Sequence, residues 1–352
     1  MSYFRWMNIK KGSTEPTVRR FWQKGTFPFL LKLLLTSTLL ALVIYLVDYR
    51  EVLHIVASVK PWYLLAFAVV FYLDRALMAY KWRPLLRAAN VSLDYLKLLQ
   101  ISFVAPLVGM ILPATVGGDA FRVYSVTKHG FSARDVISSV IMERMIGLLA
   151  LLLLVSVSVG LALYLFDGSW AYVGDLGWLL VALIALIVPI FLVIWILRSS
   201  WAKRISDKFS RYTIINWLWG LYIRLGDFRH HRRIIIFVFW LTFLEQLIPI
   251  VGAYLLIKAL HIDVSFIVLV AIVPIIVLTG RLPISFEGIG LQEGLYIGLL
   301  SLVGVTASEA LVLSSANRIM GILCLLPWAM HYLFSNRKIF PMKPEVSSGV
   351  TM

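Results

Sequence analysis

The sequence predicts an all-α polytopic integral membrane protein, with about six full transmembrane helices and two re-entrant hairpins of opposite orientation. Three observations lead there. Of 352 residues, 61% are hydrophobic and 14% charged, with a mean hydropathy of +0.88, a composition that fits repeated spans of about 20 apolar residues. Basic residues are distributed unevenly between the connections. Segments 1–26, 79–97, 113–135, 198–233 and 335–352 hold 25 of the 33 Lys and Arg, whereas 48–60, 167–177 and 257–265 hold three. By the positive-inside rule the first set, with both termini, is cytoplasmic. The same asymmetry explains the net charge of +15 without a nucleic-acid partner. Finally, two apolar segments are interrupted by glycine, proline and charge, and the pattern points to an internal inverted repeat.

In chain order, 1–26 is a basic cytoplasmic segment with Tyr3, Phe4, Trp6, Phe21 and Trp22 among six Lys and Arg, suited to an anionic leaflet. The single membrane domain spans 27–334. Its first span is 27–47, with Lys32 placed to snorkel at the cytoplasmic end. A second span, 61–78, leads into RALMAYKWRPLL, where Arg75, Lys81, Arg83, Arg87 and Trp82 read as an interfacial anchor, with a substrate role as the alternative.

The run 98–112 is short for a crossing and carries Pro106, with Pro113 just beyond. A crossing here would place Arg122, Lys128 and Arg134 outside, so a re-entrant hairpin is expected. Gly117 and Gly118 permit close backbone approach. Asp119 is placed to cap the following helix, and Arg122 lies one turn on along the same face. The next helix, from about 132 to 166, carries Glu143 and Arg144. Sequence neighbours diverge by about 100° on a helix, so these two are expected to find partners elsewhere, with Arg122 or Arg318 as candidates for Glu143.

An acidic external loop (167–177) and an inward span (178–197) follow. Segment 198–233 has nine Lys and Arg and an amphipathic period, the pattern of an interfacial helix. The span 234–256 carries Glu245 and Gln246 at mid-depth beside Pro249, where a carboxyl must pair, protonate or face water. The second broken segment contains RLPISFEGIGLQEG at 281–294. Irregular backbone at membrane depth survives only inside protein or along a watery cavity, so this break marks a site, with Arg281, Glu287 and Glu293 as candidates. Pro106 and Pro113 precede GGDAFR much as Pro274 and Pro283 precede GIGLQEG. Were the two hairpins to meet, Asp119, Arg122, Glu287 and Glu293 would come together. The last span, 310–334, holds Asn317 and Arg318, and 335–352 is a short cytoplasmic tail.

Cys324 is the lone cysteine, and the six histidines lack zinc-motif spacing. Neither a metal, a nucleotide nor another cofactor is expected.

Four motifs taken in order, WRPLL, PATVGGDAFR, MERMIGL and PISFEGIGLQEG, resemble the lysylphosphatidylglycerol synthase transmembrane-region family, also described as flippase-like. The resemblance covers about 27–335. It implies a multi-pass inner (plasma) membrane protein that moves or handles lipids, aminoacylated phosphatidylglycerol or lipid-linked sugars among them. By motif it points to Gly117, Gly118, Asp119, Arg122, Glu143, Arg144, Gly288, Gly290 and Glu293. The bifunctional synthases append a soluble aminoacyl-transfer domain, and the sequence ends at Met352, so lysyl transfer is not expected. Glu287 stands where the family motif leads one to expect a small residue.

Two readings of function follow. In the first, the protein is a lipid translocase: Arg122, Arg281 and Arg318 meet phosphate, while Asp119, Glu245, Glu287 and Glu293 meet amines or hydroxyls or carry a proton. Its partners are membrane lipids, anionic or isoprenoid-linked. In the second, it is a membrane enzyme or accessory subunit working beside lipid-biosynthetic enzymes. The sequence shows no activated nucleophile, which favours the first.

Overall fold

A computed structural model describes residues 49–111, 117–165, 213–281, 285 and 288–335. The expected spans 27–47 and 178–197, segments 1–26, 167–177 and 198–212, the tail from 336, and Glu287 lie outside the described residues.

The described chain is helical: α1 (Tyr49–Ala57), α2 (Pro61–Ala88), α3 (Tyr95–Ile111), α4 (Gly117–Thr127), α5 (Ala133–Leu165), α6 (Thr213–Asp227), a 3-10 turn (Phe228–His231), α7 (Arg232–Ala259), α8 (Phe266–Gly280), α9 (Leu291–Ser301) and α10 (Ala307–Ser335). Four helical stretches are long and apolar enough to cross a membrane: Pro61–Ala88, Ala133–Ala162, Trp219–Ala259 and Ala307–Tyr332. They coincide with four of the six spans expected from sequence. Each presents exposed apolar residues at helical spacing, such as Trp62, Leu65, Val69 and Leu73 on α2 and Ile319, Leu323, Leu326 and Met330 on α10. Such stripes are a liability in water and the natural surface against lipid.

The chain repeats itself. Helices α2 and α3 begin at 61 and 95, and α7 and α8 begin at 232 and 266, each 171 later. Helices α4 and α5 begin at 117 and 133, and α9 and α10 begin at 291 and 307, each 174 later. The helix ends repeat as well. Val91 N–H donates to Leu86 O at 2.9 Å and Ile262 N–H to Ile257 O at 3.1 Å, closing α2 and α7 around the left-handed residues Asn90 (φ 61°) and His261 (φ 59°). A non-glycine residue there costs about 1–2 kcal/mol, and the Schellman hydrogen bonds to the last carbonyls offset it. Gly130 (φ 87°) and Gly304 (φ 81°) take the equivalent left-handed positions after α4 and α9, and Val305 N–H donates to Leu300 O at 3.2 Å as Val91 does to Leu86 O.

The core repeats too. One buried cluster contains Ala79, Trp82, Leu85, Leu86, Ala89, Val91, Leu93, Leu98 and Ile101. A second contains Ile250, Ala253, Leu256, Ile257, Leu260, Ile262, Val264, Leu269 and Ile272, each 171 further on.

The two repeats are inverted. Lys60 N–H donates to Ala259 O at 3.0 Å, Phe67 packs on Gly252, and Tyr80 meets Phe237. The start of α2 therefore lies against the end of α7. Partners are exchanged across the interface: Gly147 of α5 faces Thr242 of α7, and its counterpart Gly321 of α10 faces Phe71 of α2, the counterpart of Thr242. Such reciprocity is what a two-fold relation between the halves produces.

Each repeat contains a helix-break-helix unit. Helices α3, α4, α8 and α9 have 17, 11, 15 and 11 residues, roughly 26, 17, 23 and 17 Å at 1.5 Å per residue, all short of the ~30 Å hydrocarbon core. In the first unit the backbones nearly touch: a Cβ on Gly118 would lie 2.8 Å from Ala105 O, and one on Gly109 3.3 Å from Gly118 N. In the second, a Cβ on Gly280, the counterpart of Gly109, would collide with the Gln292 side chain, and Gln292 is the counterpart of Gly118. The repeat is therefore carried by Gly109 and Gly280, while the prolines that hinted at it are not equivalent. Pro106 would fall at 277, and that position is Val277.

Candidate functional site

A cavity of about 310 Å³ opens beside the first helix-break-helix unit. It is lined by Arg75, Met78 and Lys81 of α2, Ala105, Pro106, Gly109 and Met110 of α3, Gly118, Asp119 and Arg122 of α4, Glu143, Arg144 and Gly147 of α5, Glu245 and Gln246 of α7, and Arg281 after α8. Both repeats contribute, although the first supplies most of the charge.

Asp119 lies three residues into α4 and does not cap it. Its carboxylate takes a bidentate fork from Arg144, Nε to Oδ2 and Nη2 to Oδ1, both at 2.9 Å, and sits 3.5 Å from Arg122 Nη1. The one-turn spacing of Asp119 and Arg122 read from sequence is thus a contact. Arg122 is buried, 2% exposed, and its Nη2 donates to Glu143 Oε2. Its guanidinium stacks 3.9 Å above Trp82, worth about 2 kcal/mol when desolvated. Arg122 thus pairs its charge with Glu143 at the cavity wall, while its Nε has no hydrogen-bond partner among the described residues. Glu143 and Arg144 diverge as expected, Glu143 to Arg122 and Arg144 to Asp119.

Glu245, the mid-span carboxylate, accepts from Lys81 Nζ, and Lys81 lies 3.8 Å from Glu143. The sequence reading of Lys81 and Trp82 as interfacial anchors is corrected: they are 5% and 0% exposed, at the centre of the site. The spacing of Asp74, Met78 and Lys81, four and three residues apart on one helical face, was the signal that could have revealed it. Arg75 donates to its neighbour Asp74. Arg281 is exposed, and its Nη2 donates to Gln246 Oε1 at 3.2 Å.

The second repeat holds a smaller cluster. Gly290 (φ 79°) is the N-cap of α9, a conformation glycine adopts freely, and its N–H donates to Glu293 Oε2 at 2.6 Å. That is the reach-back half of a capping box. Glu293 Oε1 accepts from Arg318 Nη2 at 2.9 Å and Nε at 3.2 Å, and Arg318 Nη2 also lies 3.4 Å from Gln292 Oε1. Gly288 (φ 71°) packs on the Gln292 side chain. Glu293 therefore pairs with Arg318, and Asp119 with Arg144. Of the second break, Arg281 reaches the first cluster, and Gln292, beside Glu293, packs against Gly280, the residue before it.

The repeat register sorts these residues. Asp119 and Arg144 correspond to Glu293 and Arg318, and Asp74 and Arg75 to Glu245 and Gln246. Lys81, Arg122 and Glu143 correspond to Gly252, Tyr296 and Asn317, and Met110 to Arg281. The hairpin-to-helix ion pairs are common to both halves, whereas the dense charge network belongs to the first. Removing one member of a buried pair costs about 3–5 kcal/mol, because the partner's charge is left buried and unpaired. Among the described residues, no group of His, Cys, Asp and Glu is arranged to hold a metal ion.

Comparison with known proteins agrees with this architecture. Residues 29–328 match the model of the family described as lysylphosphatidylglycerol synthase TM region. Two membrane proteins of Methanothermobacter thermautotrophicus, each named UPF0104 membrane protein, are similar to the chain. One is 23% identical over 80% of this chain and 87% of its own length. The other is 22% identical over 87% of this chain and 92% of its own. With the match running from the first expected span through most of α10, this multi-pass membrane protein belongs to the lysylphosphatidylglycerol synthase transmembrane-region family.

Proposed function

We propose that the protein is a lipid translocase that carries a phosphate-bearing lipid or lipid-linked sugar across the inner (plasma) membrane, the headgroup passing through the charged cavity while the tails remain in the bilayer. The observation that carries this reading is the cavity itself. Five cationic and three acidic side chains from both inverted repeats line a space of about 310 Å³ in a protein whose long helices face outward with apolar residues. Ionisable groups at such depth are costly and mark pathways, and inverted repeats with broken helices are the usual frame for alternating access. In this reading the units α3–α4 and α8–α9 are re-entrant hairpins opening on opposite faces, and both termini are cytoplasmic.

The test is reconstitution of the purified chain into vesicles, following fluorescent anionic and sugar-linked lipids between leaflets. Wild type speeds exchange, and Asp119→Asn and Glu293→Gln slow it about tenfold or more while eluting as folded protein. If no lipid moves faster than in protein-free vesicles under any applied gradient, the translocase reading falls, and an accessory or enzymatic role in lipid modification takes its place.

A further inference from the structure

The charges around the cavity can be matched one to one. Arg75 pairs with Asp74, Lys81 with Glu245, Arg122 with Glu143 and Arg144 with Asp119. Arg281 is left over. Among the described residues no carboxylate lies within ion-pair distance of it, and its guanidinium contact is the neutral amide of Gln246, itself 8% exposed. Arg281 is exposed at the cavity with one amide oxygen as its side-chain partner. Its planar fork has donors to spare, in the geometry that phosphate oxygens accept.

Position 281 is also where the two halves differ most usefully. Its counterpart is Met110, which lines the same cavity and is 42% exposed. A guanidinium at one hairpin and a thioether at the other give the cavity a cationic and an apolar wall. That is the complement of a headgroup whose phosphate is followed by its glyceride or isoprenoid end. The cavity of about 310 Å³ has room for a phosphate with a small substituent.

We infer that the cavity selects a lipid headgroup of net charge −1, one phosphodiester with a small neutral substituent, and that Arg281, held by Gln246, is the residue that sets this preference. The inference rests on the translocase reading for its lipid context, and it is stated for binding, so the two can fail separately. It runs against the substrate that the family description brings to mind, because a lysyl ester adds cationic amines and turns the headgroup net positive.

The experiment uses the full chain in detergent and measures thermal stabilisation by short-chain lipids of four headgroup types: neutral-substituted phosphodiester (net −1), zwitterionic phosphodiester, diphosphate, and lysyl-esterified phosphodiester. Inorganic phosphate is the fifth arm. The net −1 lipid is expected to bind at least about tenfold tighter than the others. Arg281→Gln should remove the preference by about that factor, the loss expected for one charge-assisted contact, while Arg281→Lys keeps most of it. Gln246→Leu, which leaves the charge but frees the guanidinium, should weaken binding of the net −1 lipid with a smaller loss. Equal preference in wild type and Arg281→Gln, tighter binding of the lysyl or diphosphate lipid, stabilisation by no lipid, or inorganic phosphate binding as well as the lipid would each overturn the inference. Arg281-dependent selectivity without any vesicle transport would uphold it and remove the translocase reading instead.

Discussion

Arg318 Nη2 lies 2.9 Å from Glu293 Oε1, and 174 positions earlier Arg144 Nη2 lies 2.9 Å from Asp119 Oδ1. In each repeat the pair ties the second arm of the broken unit to the long helix that follows it. The same bond at equivalent places in inverted halves identifies a latch of the scaffold, shared by both halves, around a charge network drawn mostly from the first half and joined to the second through Lys81 and Glu245.

The first latch is testable by exchange. Asp119→Arg and Arg144→Asp, made singly, each set two like charges face to face and should slow lipid exchange about tenfold or more. The double variant restores opposite charges and should recover to within a few-fold, a coupling of roughly 1–3 kcal/mol. A double variant no better than its worse parent would remove the pair from the mechanism.

Tight backbone packing predicts a contrast between two glycines. Gly118→Ala sets a methyl 2.8 Å from Ala105 O, whereas Gly298→Ala, in α9, meets nothing within 4 Å. The first should lower thermal stability by about 1–3 kcal/mol. The second should be neutral or raise it by up to about 1 kcal/mol, since alanine is the better helix former. Melting of the purified variants by intrinsic fluorescence separates the two.

Arg122 is expected to matter for folding more than for ligand contact. Arg122→Met leaves the buried Glu143 with Lys81 at 3.8 Å as its remaining cation among the described residues and should cost about 3–5 kcal/mol. Adding Glu143→Gln removes the orphaned charge and should return a large part of that stability. If Arg122→Met melts like wild type while losing lipid affinity, its side chain meets the ligand directly.

The inverted relation predicts sidedness. Lys128 and Leu302 are equivalent, exposed positions at the ends of α4 and α9. In a Cys324→Ser background, cysteines at these two sites should react with a membrane-impermeant reagent from opposite faces of sealed vesicles. Labelling of both from one face would dismiss the re-entrant, inverted arrangement of the units.

Much of the architecture was legible in the sequence because hydropathy is a local sum. A run such as 61–78 is apolar whatever it packs against, so four of the six expected spans, the short broken units and the cost of Glu245 and Arg281 in apolar surroundings could be read directly. The divergence of Glu143 and Arg144 followed from helical geometry alone. The repeat was visible only as an echo of prolines and glycines, and the prolines turned out not to be equivalent. Its true register lies in apolar positions such as Leu85 and Leu256, which differ little from their neighbours in a sequence that is 61% hydrophobic.

Tertiary structure decided the partners. Lys81 and Trp82 carry the composition of an interfacial anchor, and only the packing of α2 against α7 and α5 buries them beside Glu245, Glu143 and Arg122. Glu293 belonged, by sequence, with Asp119, and the fold gives each its own arginine. The sequence by itself determined a multi-pass helical membrane protein with two costly interruptions, since transfer to hydrocarbon is set residue by residue. Which charges neutralise one another depends on distances of a few ångströms between helices far apart in the chain, and those exist only once the repeats have packed.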